Sequence, residues 1–191
     1  QFFDQYARQW DRMASELIPV DQYASFILNE LDSGHIVVDV GVGTGRLLKD
    51  LSHVSRHVIG IDHSSPMLDE ARGRIADEQL ENVELRLGEL THLPVADGVA
   101  NCAILNMVLH HAANPQEALK ELNRVLEPGG QLIIADLVRH DMEWFHEQMS
   151  DQWMGFEKTE IDRWLENAGF RLGHYHNIDI DEKIPSVFVL T

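Results

Sequence analysis

The stretch "VVDVGVGTGRLL", residues 37–48, decides the fold, because it joins a strand pattern to a helix pattern through three glycines. Residues 37–40 are typical of a buried strand, and a helix is predicted from Gly45 onward. In open α/β sheets, ligands bind at such a turn between strand and helix. Gly41 permits the tight turn, Gly43 lets a ligand approach the backbone, and Gly45 allows the helix to pack closely on the strand. The alternative is a turn with a structural role alone.

β-Branched runs alternate with helical patterns along the rest of the chain, which predicts βαβ units in a parallel sheet. Strands are predicted at residues 35–40, 57–62, 83–88, 99–106 and 131–137, and helices at residues 45–51, 64–79, 115–126 and 158–168. Residues 170–180 and 185–190 predict two further strands, which must be antiparallel because the turn at 181–183 is short. We therefore expect a Rossmann-like, doubly wound α/β sheet of seven strands with the last strand antiparallel, preceded by an N-terminal helix.

Composition limits the classes of function. The chain has 191 residues, 44% hydrophobic and 25% charged, which favours one globular domain. A net charge of -17 argues against nucleic acid as a partner of this chain alone, because phosphate binding needs a basic face. No stretch of the sequence contains the roughly 18 consecutive apolar residues that a membrane-spanning helix needs, so we expect no membrane partner. With Cys102 as its one cysteine the chain has no internal disulfide, which predicts a cytoplasmic protein. A homodimer is compatible with these features.

Asp62 adds a second sign of a ligand site. It ends the second predicted strand, about 20 residues after Gly41, where such folds place an acid against the ribose hydroxyls of a nucleotide-like ligand. The alternative is an acid that caps the helix beginning near Ser64. Because a cap does not require this spacing, we favour the ligand role.

The spacing of the glycines separates two classes of ligand. The dinucleotide fingerprint G-x-G-x-x-G requires glycine at position 46, where this chain has Arg46, and this disfavours NAD. The spacing is instead G-x-G-x-G preceded by Asp39, in "DVGVGTG". With this motif the chain resembles the class I methyltransferases that use S-adenosylmethionine (SAM), and the resemblance covers roughly residues 34–134.

The resemblance implies a set of cofactor-binding residues. In "GIDHSSPMLDEAR" it places Asp62 on the ribose and His63 and Met67 near adenine, and in "GELTHLP" Glu89 accepts the adenine amino group while the Leu90 amide faces the ring. The glycine-loop amides take the SAM carboxylate, and Asp39 holds an amide or amino group. The whole implied set is Tyr6, Trp10, Asp39, Gly41, Gly43, Gly45, Asp62, His63, Met67, Gly88, Glu89, Leu90 and Asn106. Asn101 departs from the family, which commonly has aspartate before the fourth strand.

Two aromatic-rich segments flank the predicted core. In "QFFDQYARQWDRMASEL", residues 1–17, the apolar side chains recur at three- and four-residue steps and define one helix face, which either packs on the domain or contacts ligand. The chain also resembles a smaller group of small-molecule methyltransferases, some fused to winged-helix regulators of the arsenical-resistance type, in which this helix covers the cofactor. We therefore divide the single domain, 1–191, into a helical lid at 1–33, a cofactor-binding core at 34–138, an insertion at 139–157, and a C-terminal helix with antiparallel strands at 158–191.

Catalytic side chains are sought at the end of the fourth strand. His110 and His111 are the candidates for a base, because histidine titrates near neutral pH, and the alternative is a packed loop. In the insertion, His140, Asp141 and His146 are better interpreted as solvated helix positions than as metal ligands, so no metal is expected. The chain has a single cysteine, Cys102, and this argues against arsenic methylation, because the methyltransferases of the family that act on arsenic use several thiolates.

The function predicted on these grounds is methyl transfer from SAM to an unidentified small molecule, with S-adenosylhomocysteine as product. The alternative is a domain of a transcriptional regulator that binds SAM or S-adenosylhomocysteine and reports its occupancy.

Overall fold

The computed structural model describes residues 2–17, 19–145 and 152–191 and shows one seven-stranded sheet in the order β3-β2-β1-β4-β5-β7-β6. The strands are β1 Ile36–Val40, β2 His57–Asp62, β3 Val83–Leu87, β4 Ala100–Asn106, β5 Leu126–Leu137, β6 Tyr175–Ile178 and β7 Val187–Leu190. The helices are α1 Phe2–Leu17, α2 Ala24–Leu28, α3 Leu48–Val54, α4 Ser65–Asp77, α5 Pro115–Val125 and α6 Lys158–Asn167. Within the described residues, no helix combines the length and apolar character needed to cross a membrane.

The direction of the strands follows the prediction. The strands β1 to β5 pair in parallel, and β7 runs antiparallel to both of its neighbours, β5 and β6. Residues 179–186 connect β6 to β7, so the chain turns back and β7 lies between β5 and β6 as the one reversed strand of the described sheet. The predicted doubly wound sheet with an antiparallel last strand is confirmed.

The central strands are buried on both faces, and alternate residues face two apolar clusters. On β1, Val37 faces a cluster with residues of α2, α3 and α4, whereas Val38 and Val40 face a cluster with residues of α5 and α6. This arrangement explains why the strands are apolar throughout rather than alternating, as expected for a parallel sheet covered by helices.

Several predicted boundaries were wrong. Helix α3 begins at Leu48 rather than Gly45, because Gly41, Gly43 and Gly45 all have positive φ angles (74°, 54° and 79°) that no helix contains. Strand β5 begins at Leu126, earlier than predicted, through an irregular pairing with β4. Strand β6 is shorter than the predicted residues 170–180, and α2 lies within the helical lid expected at residues 1–33, although no separate helix was predicted there.

The two described ends of the segment 139–157 are joined to each other and to the sheet. Phe156 forms a parallel bridge with Val138, and the amide of His140 donates to the carbonyl of Met154 (3.0 Å). The amide of Trp153 donates to the carbonyl of His110, also at 3.0 Å. The segment therefore starts and ends beside the carboxyl ends of β4 and β5.

Gly45 tests the packing of the glycine turn. A Cβ atom there would lie 2.6 Å from Leu48 Cδ1, and φ is +79°, so we expect Gly45→Ala to lower the free energy of unfolding by about 1–3 kcal/mol. Gly73 is the matched control, because it lies within α4 and a Cβ there would meet nothing within 4 Å. Gly73→Ala should raise the free energy of unfolding by about 0.5–1 kcal/mol. Urea denaturation measures both, and equal effects of the two substitutions would contradict the packing role.

Candidate functional site

A cavity of about 500 Å³ lies at the carboxyl ends of β1, β2 and β4. Strand β1 pairs with β2 on one side and β4 on the other, so the chain connections leave this edge in opposite directions and open a crevice there. Val40 of β1 pairs with Leu105 of β4. The residues that come next on the two strands, Gly41 and Asn106, therefore lie side by side at this edge. Residues from five loops and from α1 line the cavity.

The glycine turn forms the floor of the cavity. A Cβ on Gly41 would lie 2.3 Å from Val108, so this position needs glycine for packing. A Cβ on Gly43 would meet nothing closer than 4.0 Å, where Trp10 Nε1 lies, so Gly43 presents bare backbone to open space. Gly45 does not line the cavity and packs against Leu48 and Ala71.

Four amides of the glycine turn donate to acceptors within the protein. The amides of Gly41 and Val42 both donate to the carbonyl of Ile61 (2.7 and 3.0 Å), and the amide of Gly45 donates to that of Val42 (2.9 Å). The amide of Gly43 donates to Asp62 Oδ2 at 2.8 Å. We expected the amides of this turn to bind the carboxylate of a ligand. These four amides already have acceptors within the protein, which argues against that role for them.

Asp62 connects the two loops of the site. Its Oδ2 accepts the Gly43 amide, and its Oδ1 accepts the amide of Ser64 at 2.9 Å. Ser64 caps α4, because its hydroxyl accepts the amide of Met67 at 3.4 Å. Both predicted interpretations of Asp62 thus have a structural counterpart, since it supports the start of α4 and also lines the cavity. A carboxylate has further lone pairs, so these two bonds leave acceptor capacity for a ligand.

Buried acids give the cavity an unusual charge state. Burial, with repulsion from Asp62 as a second cause, raises the pKa of Asp39 to about 7. Burial also raises the pKa of Asp62, although the amides of Ser64 and Gly43 lower it in part. Two neighbouring acids that resist ionisation favour a ligand with a positive or hydrogen-bond-donating group.

Helix α1 covers the cavity. Phe3 and Trp10 line it, and their rings contact each other edge to face with centroids 5.3 Å apart. Two acids of α1 attach the helix to the loops below: Asp4 accepts the Ser64 hydroxyl at 2.7 Å, and Asp11 accepts both the Thr44 hydroxyl and the Arg74 guanidinium. The apolar face predicted for residues 1–17 therefore both packs on the domain and borders the cavity.

The two histidines after β4 have different positions. His110 is fully buried, does not line the cavity, and contacts Asp136 Oδ1 through Nδ1 at 2.7 Å. Asp136 is also fully buried and accepts the amides of Leu109 (2.9 Å) and Leu137 (2.7 Å). His111 lines the cavity, with its ring 4.0 Å from the ring of His110. Of the two predicted bases, His111 is therefore the one that borders the space for a ligand.

The structure brings most of the predicted binding residues to this one cavity. Those that line it are Trp10, Asp39, Gly41, Gly43, Asp62, His63, Met67, Gly88, Glu89, Leu90 and Asn106, together with His111. Tyr6, Gly45 and His110 do not line it. His146 lies outside the described residues, so the absence of a metal from the insertion stays a prediction.

Sequence reasoning missed Tyr23 and Arg46. Tyr23 is fully buried, lines the cavity, and donates its hydroxyl to Asn106 Oδ1 at 2.9 Å. Burial raises the pKa of Tyr23, and the positive charge of Arg46 lowers it in part. Arg46, noted in the sequence only as a departure from the dinucleotide fingerprint, lines the cavity too. No sequence motif indicates that Tyr23 lines the cavity, whereas the position of Arg46 within the glycine turn could have indicated that Arg46 does.

Comparison with known proteins agrees with this geometry. The sequence matches the family described as "Methyltransferase domain" over residues 38–134, which is half of the chain. The chain belongs to the class I SAM-dependent methyltransferases. The matched region begins in β1 and ends in β5, so it contains the glycine turn, Asp62 and the loop after β4.

Relatives differ in the acceptors that their names give. The chain is 41% identical over 109 residues to an arsenite methyltransferase of Halobacterium salinarum, a match that covers 56% of this chain and 28% of that protein. It is 32% identical over 163 residues to a human protein named "Probable tRNA methyltransferase 9B", covering 84% of this chain and 29% of that protein. The chain thus spans less than a third of the length of these two relatives, and 62% of the length of a demethylmenaquinone methyltransferase of Lactiplantibacillus plantarum to which it is 30% identical over 149 residues.

A solved structure has the same fold over nearly the whole chain. A methyltransferase determined in complex with the Haloferax volcanii Trm112 methyltransferase activator superposes with a TM-score of 0.82 and covers 98% of this chain and 96% of its own. Its sequence identity is 22%, so this likeness concerns the fold.

The raised pKa of Asp39 predicts a pH-dependent stability. In the unfolded chain Asp39 ionises near 3.8 but in the folded protein near 7, so its contribution to stability is present below about pH 4 and is lost as the pH rises through 7. Asp39→Asn keeps the shape and removes the charge, so at pH 8 it should exceed the native protein in free energy of unfolding by about 1–4 kcal/mol, with little difference at pH 4. Urea denaturation at both pH values measures this, with exposed Asp50→Asn as control. If the free energies of unfolding of the native protein and Asp39→Asn changed in parallel with pH, the raised pKa of Asp39 would be refuted.

Proposed function

We propose that this chain binds SAM in the cavity below α1 and transfers its methyl group to a small molecule. The observation that carries the proposal is the open face of Gly43 beside Asp62, in a family whose members depend on SAM. A side chain at Gly43 would occupy the cavity, and the acid next to it offers acceptors for hydroxyl groups. Because the φ of +54° at Gly43 by itself favours glycine, the support for a ligand site comes from the open space beside this residue.

The residues present fit SAM in size and chemistry. A cavity of about 500 Å³ lies within the usual range for small-ligand sites. SAM lacks phosphates, and Arg46 is the one Lys or Arg among the described residues that line the cavity. In the proposed complex Asp62 accepts the ribose hydroxyls, Glu89 accepts the adenine amino group and Asp39 accepts an ammonium group; the support is that all three acids line the cavity.

SAM bound in this cavity would supply an electrophilic methyl group: the acceptor atom would bond to the methyl carbon in line as the carbon–sulfur bond breaks, with S-adenosylhomocysteine as the leaving group. The residues of this chain align the partners and exclude water, and Phe3 and Trp10 cover the cavity for that purpose. The imidazole of His111 borders the cavity and is proposed to take the proton that an oxygen, nitrogen or sulfur acceptor must lose. The buried pair His110–Asp136 supports the turn that carries His111.

The acceptor is proposed to be a small molecule other than arsenite. Cys102, the one cysteine of the chain, is fully buried within β4, and burial raises the pKa of its thiol to about 12. A neutral thiol inside a strand is no arsenic ligand. The net charge of -17 disfavours RNA as an acceptor for this chain alone. The cytoplasmic location stays a prediction.

Removing the Asp62 carboxylate tests the cofactor site. Two hydrogen bonds from ribose hydroxyls to a charged acceptor are each worth about 1.5–3 kcal/mol, so Asp62→Ala should weaken binding of S-adenosylhomocysteine at least about a hundredfold. Isothermal titration calorimetry measures the affinity, with NAD as the ligand that should not bind. Asp69→Ala, which removes an exposed acid of α4, is the control. Unchanged affinity in Asp62→Ala would remove Asp62 from the site.

Replacing His111 tests transfer. With methyl-labelled SAM and a small-molecule extract, the native protein should label an acceptor, and His111→Gln should lower the rate by about a hundredfold if His111 is the base. His53→Gln, on an exposed residue of α3, should leave the rate unchanged.

Two outcomes would contradict this proposal in different ways. Labelling of a total RNA fraction in place of small molecules would overturn the acceptor class. No labelling at all, with a strong preference for S-adenosylhomocysteine over SAM and a ligand-dependent movement of α1, would favour the sensor, because a sensor must bind its two ligand forms or states with different affinity.

A further inference from the structure

The short turn after β4 places the imidazole of His111 at the cavity. Within this turn the amide of His111 donates to the carbonyl of Val108 at 3.0 Å. The amide of Ala112 donates to the carbonyl of Leu109, also at 3.0 Å. These two bonds hold amides of the turn. The carbonyls on either side of His111, those of His110 and Ala112, are held by bonds from another part of the chain.

Trp153 donates to both of these carbonyls. Its backbone amide donates to the carbonyl of His110 at 3.0 Å, and its indole Nε1 donates to the carbonyl of Ala112 at 2.8 Å. The amide of Gln152 also donates to the His110 carbonyl, at 2.9 Å, which uses the second lone pair of that oxygen. The residues before and after His111 are therefore both bonded to one residue, which lies 41 positions from Ala112 in the sequence.

The indole ring of Trp153 is held in place by other rings. It contacts the rings of Phe156 and Trp164, with centroids 5.8 and 5.7 Å away, and both of those side chains are buried. Phe156 bridges Val138, and a Cβ on Gly155 would lie 2.4 Å from the carbonyl oxygen of Val138, so the backbone is closely packed at this point. The N–H of a ring held in this way forms a hydrogen bond of fixed direction.

Trp153 does not line the cavity itself. An effect of Trp153 on methyl transfer would therefore pass through the turn that carries His111. This effect can be large, because a displacement of about 1 Å at a reacting group, caused by a change far from it, can lower a rate about a hundredfold. A base on a turn thus depends on neighbouring residues that keep the turn in place.

We propose that Trp153 is a positioning residue for methyl transfer. By donating to the carbonyls of His110 and Ala112, it fixes the turn that places the His111 imidazole at the cavity. Trp153 thereby contributes to the reaction without lining the space for the ligand. This inference rests on the proposed role of His111 as the base and adds the residue that keeps this base in position.

Amide hydrogen exchange tests whether Trp153 holds the turn. Trp153→Phe keeps an aromatic ring and removes the indole N–H, so the exchange rates of the His111 and Ala112 amides should rise about three- to tenfold. NMR spectroscopy measures the exchange of each amide. Trp164→Phe is the matched control, because it alters the same group of rings and, among the described residues, removes no hydrogen bond to the turn. It should leave the exchange of both amides unchanged.

The rate of methyl transfer tests the consequence for the reaction. With saturating methyl-labelled SAM and the small-molecule extract, Trp153→Phe should lower the rate about tenfold, and calorimetry should show unchanged affinity for S-adenosylhomocysteine. In the His111→Gln background it should have no further effect on the rate, because the residue through which it acts is gone. Trp164→Phe should leave the rate unchanged.

A second replacement separates the hydrogen bond from the packing of the ring. Replacing Trp153 with benzothienylalanine keeps both rings and removes the N–H alone, so it should reproduce the faster exchange and the slower transfer. Thermal unfolding of each unliganded variant checks that the fold is kept. Unchanged exchange and unchanged transfer with this replacement would overturn the role of the indole N–H.

The remaining outcomes separate this inference from the proposed function. Equal losses of rate in Trp153→Phe and Trp164→Phe, or a further loss in the His111→Gln background, would overturn the positioning role, because either result indicates general packing. Normal transfer by the native protein with unchanged exchange in Trp153→Phe would overturn this inference alone. Failure of the native protein to label any acceptor would overturn the proposed function and, with it, the role of Trp153 in transfer.

Discussion

One carboxylate holds the site together. Asp62 accepts the amide of Gly43 with one oxygen and the amide of Ser64 with the other, so the loops after β1 and β2 have a fixed separation. Helix α1 is attached to the same two loops through Asp4 and Asp11. The position of the cover, the exposure of Gly43 and the start of α4 therefore all depend on this pair of hydrogen bonds.

The cost of this arrangement is that two acids lie close together in the wall of the cavity. Asp39 and Asp62 lie on neighbouring strands, both are buried, and the pKa of each is raised. A cationic group placed between them favours ionisation of both acids and adds to the attraction that Asp62 already has from His63. An ammonium or sulfonium ligand thus receives part of its affinity from relief of an existing repulsion.

The sequence predicted what depends on near neighbours along the chain. The glycine spacing, the strand end at Asp62 and the helix beginning near Ser64 are local patterns, and the fold class followed from them. The start of α3 was misplaced because the positive φ of Gly45 delays a helix that its side-chain pattern favours. The pairs Tyr23–Asn106 and His110–Asp136 join residues far apart in the sequence, so no local pattern could reveal them. For the same reason the sequence treated His110 and His111 alike, although only the fold shows that one is buried behind the other.

The paired ends of the segment 139–157 have a consequence for how such a protein diversifies. Phe156 bridges Val138, and Trp153 is bonded to the loop that carries His111, so the chain leaves the sheet and returns to it at nearly the same point. For a connection whose two ends are held together, each doubling of its length costs only about 0.6 kcal/mol in closure entropy. Insertions and deletions between these anchors can therefore accumulate without loss of the fold. The border of the cavity on this side can change in evolution while the strands and the glycine turn stay as they are.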